Sequence, residues 1–258
     1  MLYQQRKYLR FLLKANNQYG VHSPFVYQLI TKCFYKKTPK NLWRKYLNAK
    51  QDVFNQQKKN KVSDFDVRFK ILKNNERQVS KAMKVAGISN KKAKILIKTI
   101  SYFKPKNILE IGTSLDLEST AIKTGSENIT ITTLESCPKT SLVKQELFEK
   151  NNFNAIKILS GDSSKTLLKY TQNKQFDCVF FGRNQTKQAT LNYFEECLNT
   201  IHNRSFFIFD AIYWTEEMQE AWLTIKKHPK VTVTIDVFYF GIVFFRKEQT
   251  KEHFKIRI

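Results

Sequence analysis

The sequence predicts a doubly wound α/β fold: a mostly parallel seven-stranded sheet ending in an antiparallel hairpin, with a helical N-terminal region ahead of it. Two rhythms and one break carry that expectation. After Pro105, short apolar runs recur at 107–111, 129–134, 155–159, 176–181 and 205–209. Helical stretches beginning near Leu117, Pro138, Ser163, Lys187 and Thr215 separate them. Runs that are apolar at consecutive positions suit strands buried on both faces, and strand–helix alternation is the pattern of a parallel sheet. The break comes at the end. VTVTIDV and FYFGIVFF follow one another with no helix between, which closes the sheet with an antiparallel pair.

The N-terminal elements follow from spacing and punctuation. Residues 2–16 set Leu2, Leu9, Leu12 and Leu13 among basic residues at helical intervals. Gly20 breaks that pattern. Ser23-Pro24 then supplies an N-cap and a first-turn proline for a second amphipathic helix carrying Phe25, Val26, Leu29, Ile30 and Cys33. From Lys36 to Lys61 the chain reads as a basic, glutamine-rich connector with at most one short helix. Helices over 75–86 and 90–103 follow, separated by Gly87, the second started by Ser89 or Asn90. The expected division is 1–70, a basic helical region and connector, and 71–258, the α/β domain.

Composition narrows the class. With 258 residues, 21 Phe and 11 Tyr, the chain can bury a sizeable core despite a hydrophobic share of only 41%. The longest apolar run, Val237 to Phe245, is nine residues against the roughly 18 of a membrane helix. The first residues mix charge with apolar side chains, unlike a secretory leader, so a cytoplasmic protein is expected. Cys33, Cys137, Cys178 and Cys197 form no C-x-x-C pair, and the four His match no zinc spacing. Reduced, buried thiols are the expectation.

The net charge of +23 is unevenly placed: residues 1–100 hold 24 Lys/Arg against 4 Asp/Glu. A basic front half joined to a near-neutral rear half points to a polyanion such as RNA or an acidic membrane face. The competing reading is a solvated surface in a chain rich in Lys, Asn, Ile and Phe. In that case the apolar face of Leu9, Leu12, Phe25 and Val26 suits a lid or a homodimer arm.

Three positions describe a ligand site at the carboxyl ends of the strands. Gly112 directly follows the first strand, where a missing Cβ lets backbone approach a ligand and a helix N-terminus offers free N–H groups to a carboxylate. Glu135 ends the second strand and is placed to accept ribose hydroxyls. Asp162 opens the turn after the third and can accept from an adenine amino group. The competing readings are a surface carboxylate at Glu135 and a helix cap at Asp162.

The run Leu109-Glu110-Ile111-Gly112-Thr113-Ser114 resembles the first strand and turn of class I AdoMet-dependent methyltransferases, and Gly161-Asp162 falls where that family contacts adenine. FDCVFF and FFIFDAIYW resemble the fourth and fifth strands of its O-methyltransferase branch. VHSPFVY at Val21–Tyr27, and IYW, HPKV and GIVFFRKEQ between Ile212 and Gln249, are similar to a bacterial group of that class. The resemblance implies S-adenosylmethionine as methyl donor, with Glu110, Gly112, Thr113, Ser114, Glu135, Gly161 and Asp162 around it. It also implies an acceptor pocket at Asn184, Tyr213 and Trp214, with Asp210 orienting the acceptor or taking its proton. The departures are specific. The second glycine of the first turn is lost, and two of the acids with which the metal-dependent members bind a divalent ion become Gly182 and Ala211. One remaining carboxylate is too few for a hard cation, so no metal is expected. Two other readings stand beside this one: a catalytically degenerate relative, and a polyanion-binding protein.

Overall fold

The computed structural model describes residues 2–59, 88–112, 117–135, 155–161, 163–182 and 186–258, with isolated positions between 141 and 153. The expected helices near 75–86 and Pro138, together with Gly87, Cys137, Thr113, Ser114, Asp162 and Asn184, lie outside those residues.

The described helices are α1 (Leu2–Lys14), α2 (Pro24–Leu29), α3 (Lys40–Lys59), α4 (Asn90–Phe103), α5 (Leu117–Gly125), α6 (Ser163–Thr171), α7 (Lys187–Cys197) and α8 (Glu216–Lys227). The strands are β1 (Asn107–Ile111), β2 (Thr130–Glu135), β3 (Ile156–Ser160), β4 (Cys178–Phe181), β5 (Phe206–Asp210), β6 (Val233–Asp236), β7 (Phe240–Phe244) and β8 (Glu252–Lys255). They form one sheet in the order β3-β2-β1-β4-β5-β7-β6-β8, in which β7 runs antiparallel to β5 and β6. The expected fold class is therefore found, with one correction: the sheet has eight strands, not seven. The short, charged EHFK segment carries no strand signal of its own; it becomes one by pairing in parallel with β6.

The stretch read as a connector is also corrected. Twenty of its residues form α3. Tyr46 and Ala49 are buried, and Leu42 and Trp43 pack beside them, so an apolar stripe runs along an otherwise polar helix. Helix α2 ends early, and Ile30–Phe34 continues it as one wide π-turn. Pro24 stands at the first helical position as expected, but the Ser23 hydroxyl makes no cap bond and reaches Gln249 Oε1 at 3.5 Å instead.

Alternation along the strands splits the core. Ile108, Cys178, Phe180, Phe206 and Ile208 face one layer, which also holds Val26, Leu29 and Ile30 of the N-terminal segment and Ile95, Leu96 and Ile100 of α4. Leu109, Ile111, Val179, Phe181, Phe207 and Phe209 face the other, with Phe11 of α1, Phe194 of α7 and Trp222 of α8. Strands with both faces buried explain the consecutive apolar runs. Cys33, Cys178 and Cys197 are buried free thiols. No helix among the described residues is long and apolar enough to cross a membrane.

Candidate active site

The parallel register brings the carboxyl ends of β1 to β5 to one edge of the sheet, where ligands of open α/β sheets sit. Gly112 leaves β1 with φ 73° and Gly161 leaves β3 with φ 135°, two left-handed turns that favour glycine. Between them, β2 delivers Glu135, and the Gly161 N–H donates to the Glu135 carbonyl at 3.0 Å. The Glu135 carboxylate is almost enclosed and carries an ammonium: Lys144 Nζ lies 2.9 Å from Oε2, itself buried. Glu110, two positions before Gly112, is fully buried and accepts from Ser119 of α5 at 2.6 Å, tying that helix to the strand below the glycine.

A second group forms at the end of β5. By strand alternation Asp210 faces the same layer as Phe206 and Ile208, the layer holding α4. There Lys92, in the first turn of α4, bonds Asp210 Oδ1. Ser89 caps that helix by accepting from the Lys92 N–H at 3.3 Å, which fixes the turn that aims the lysine. Asp210 therefore lies against a cation, with its side chain fully buried.

Beside this pair opens a cavity of 230 Å³, lined by Lys92, Ala211, Tyr213, Trp214, Phe238 and Tyr239, among others. Tyr213 and Trp214, both expected here, meet at it. Tyr213 is buried, stacks on Phe238 with ring centroids 5.1 Å apart, and donates to Asp236 Oδ2 at 2.5 Å. Burial pushes the Tyr213 hydroxyl well above its ordinary value, with Asp236 acting the same way. Burial raises Asp236 in turn, against the bonds from Tyr213 and the Phe238 N–H. Trp214 stays 41% exposed at the rim. Two non-glycine residues lining the cavity are left-handed, Ala211 at φ 58° and Phe238 at φ 67°. Such backbone costs on the order of 1–3 kcal/mol per residue and concentrates at functional sites.

The two acid positions missing from β4 and β5 bear on the metal. Gly182 and Ala211 offer no donor side chain, and the acid that remains at the end of β5, Asp210, is engaged by Lys92. No group of three His, Cys, Asp or Glu among the described residues is spaced to hold an ion. This donor set does not fit a divalent cation.

Sequence reasoning missed Lys92, Lys144 and Asp236. The first two carry no motif. Asp236 had one weak signal, an acid closing the apolar run VTVTI.

The sequence profile of the O-methyltransferase family matches residues 49–237. The chain belongs to the O-methyltransferase family. S-Adenosylmethionine is thus its methyl donor, and methyl transfer its class of reaction. Solved structures agree on the fold. An SAH-bound methyltransferase of Podospora anserina superposes with TM-score 0.59 at 16% identity, over 88% of this chain and 97% of that one. An O-methyltransferase of Bacillus cereus in complex with SAH gives 0.52 at 18%, over 68% and 94%. A Staphylococcus aureus protein provisionally assigned as a caffeoyl-CoA O-methyltransferase gives 0.57 at 18%, over 77% and 99%. No curated protein matches the chain.

Proposed function

We propose that this O-methyltransferase works without a divalent metal, on a flat hydroxylated acceptor held in the aromatic cavity beside Asp210. The observation that carries the reading is the Lys92 ammonium on the Asp210 carboxylate, next to Ala211 and across from Gly182. It puts a fixed positive charge where one is useful for holding an acceptor oxygen as its anion.

AdoMet, when bound, supplies an electrophilic methyl group. The rest falls to the chain. Gly112 and Gly161 leave room for backbone to approach the donor closely, and Glu135 accepts from its ribose hydroxyls while Lys144 neutralises the carboxylate. Glu110 holds the glycine turn through Ser119. Thr113, Ser114 and Asp162 complete the donor site on the resemblance alone, as Asn184 does the acceptor site. Trp214, Tyr213 and Tyr239 offer ring faces to a planar acceptor. Lys92 stabilises the acceptor oxygen as its anion, the hydroxyl proton leaving to solvent at the cavity rim, and Asp210 keeps Lys92 in place. The chemistry then needs mainly alignment, which a walled cavity supplies. The altered glycine turn argues for donor affinity in the micromolar range or weaker.

Calorimetric titration with AdoMet and its demethylated product tests the donor site. Glu135→Ala is expected to abolish binding, since two charge-assisted hydrogen bonds of roughly 1.5–3 kcal/mol each are lost. Turnover of a catechol or other simple phenol tests the rest: chelator leaves the rate unchanged, and Lys92→Met removes it without altering AdoMet binding. A strict magnesium requirement would overturn the metal-free reading while leaving the donor site standing.

A further inference from the structure

On α4, Lys91, Lys94 and Lys98 lie at intervals of three and four, so they share one stripe of the helix. Opposite them stand Lys36, Lys37 and Lys40, from the end of the π-turn to the first turn of α3. The six lysines line one cavity of 380 Å³, and no acidic side chain lines it. The rest of its wall is Thr38 and the largely apolar Phe34, Trp43, Ile95 and Ile258.

We propose that this lysine-lined cavity is a second binding site, for a small ligand carrying two or more phosphate charges and an aromatic group. Four arguments support it. Six like charges around one hollow repel each other, and a multivalent anion relieves that repulsion. Lys98 is half-buried, its Nζ donating to the Phe34 carbonyl; burial holds its ammonium below the ordinary lysine value, and Lys91 and Lys94 push the same way against Cys33. Trp43 lines the cavity, with Tyr46 stacked on its ring at 5.3 Å and Lys94 Nζ 4.7 Å from its ring centroid, so a flat group reaches the indole once a phosphate draws the Lys94 ammonium off that face. The volume, finally, is that of a small-molecule pocket, and its concave apolar wall suits a compact ligand better than the backbone of an extended polymer.

The site is distinct from the methyl-transfer centre yet adjoins it. Consecutive residues of α4 serve the two: Lys91 lines this cavity and Lys92 the acceptor cavity. Lys91 donates to the Ile258 main-chain oxygen at 2.7 Å and lies 5.1 Å from the ring centroid of Tyr239, a wall of the acceptor cavity. A phosphate drawing Lys91 away from these contacts would reach the acceptor site through Tyr239.

The test uses the full chain, with inorganic pyrophosphate and UDP as probes in calorimetric titration at low and moderate salt. Neither probe carries adenine, so the AdoMet site is not their natural target. Both are expected to bind, UDP more tightly because its base can stack on Trp43. Lys37→Gln plus Lys94→Gln should weaken both by at least about tenfold, the loss of one charge-assisted hydrogen bond or more, with AdoMet binding unchanged. Trp43→Leu should erase the advantage of UDP over pyrophosphate. Both lysines are exposed, so the double variant should keep its circular dichroism and melt no lower than the parent. No heat with either probe at about 1 mM overturns the proposal, as does equal binding by the double variant. Loss of UDP binding in Glu135→Ala also overturns it, by placing UDP in the donor site. Retention of a short single-stranded RNA or of phosphatidylserine vesicles through the same lysines, with pyrophosphate silent, overturns it in favour of an extended polyanion.

Discussion

Lys92 and Asp210 are 118 residues apart and meet in a buried setting, 11% and 0% exposed at the side chain. Taking one partner away leaves the other as an uncompensated charge inside the protein. Lys92→Met should therefore cost about 3–5 kcal/mol of stability, as breaking a buried pair does. Replacing Asp210 by Leu in the same chain should restore most of it, because the two side chains then bury apolar surface instead. Denaturant titration of the parent and the two variants checks this, and a single Lys92→Met effect below about 1 kcal/mol would show the pair to be solvated. The three described cysteines behave differently, since burial outweighs what support a thiolate has there. Burial pushes the Cys33 thiol up to about 12, with Lys98 and Thr99 pulling weakly the other way, and burial likewise raises Cys178 and Cys197. At pH 8 the Cys33 thiolate is on the order of one part in ten thousand. Iodoacetamide at that pH should leave all three unmodified until the protein unfolds, as read by mass spectrometry of the labelled peptides.

At the scale of elements, glycine decides two close approaches. Gly125 ends α5 where a Cβ would stand 2.7 Å from Ile100 Cβ, so α4 and α5 touch almost backbone to side chain. Gly241 lies in β7, and a Cβ there would stand 2.7 Å from the Trp222 ring. The Trp222 indole is itself buried against Phe209 with ring centroids 6.1 Å apart, so it has nowhere to withdraw. Gly241→Ala should cost about 1–3 kcal/mol by overpacking. Trp222→Leu in the same chain should recover part of that loss, because the ring that clashes is gone. Gly112 is a separate case: its backbone is left-handed, so strain rather than crowding sets the penalty there.

Across the whole molecule, α1 ties the chain's first residues to its last strands. Tyr3 donates to Gln219 of α8 at 2.9 Å, and Tyr8 and Phe11 pack on Phe238, which lines the cavity beside Asp210. Asn16 then pairs with the end of β8: its N–H donates to Lys255 and its carbonyl accepts from Arg257. The N-terminal helix therefore supports the turn between β6 and β7 that shapes the cavity. Phe11→Ala should cost about 3–5 kcal/mol, the range for removing a buried aromatic. It should also raise KM for a phenolic acceptor more than it lowers kcat, because Phe238 loses its backing while Lys92 and Asp210 stay. An unchanged KM would separate α1 from the acceptor site.

How much of this was legible beforehand depends on the range of the forces involved. Strand positions, the glycine turn and the final hairpin were written locally, since burial on both faces forces consecutive apolar residues and a left-handed turn favours glycine. Gly112 and Glu135 were named from that local grammar and Asp210, Tyr213 and Trp214 from the resemblance, and the fold brings them to one edge of the sheet. The full length of α3 was missed because a helix so rich in Lys, Asn and Gln looks like a polar linker until a core exists to receive its apolar stripe. Strand β8 was missed because its pairing partner, not its composition, makes it a strand. The pairing of Asp210 with Lys92, that of Glu135 with Lys144 and the convergence of six lysines around Trp43 belong to the tertiary structure alone. By itself the sequence determined the fold class, the family and the position of the glycine turn after β1. Packing decided which charges face each other, because electrostatic partners far apart in the chain are chosen by where the backbone has already been carried by its apolar residues.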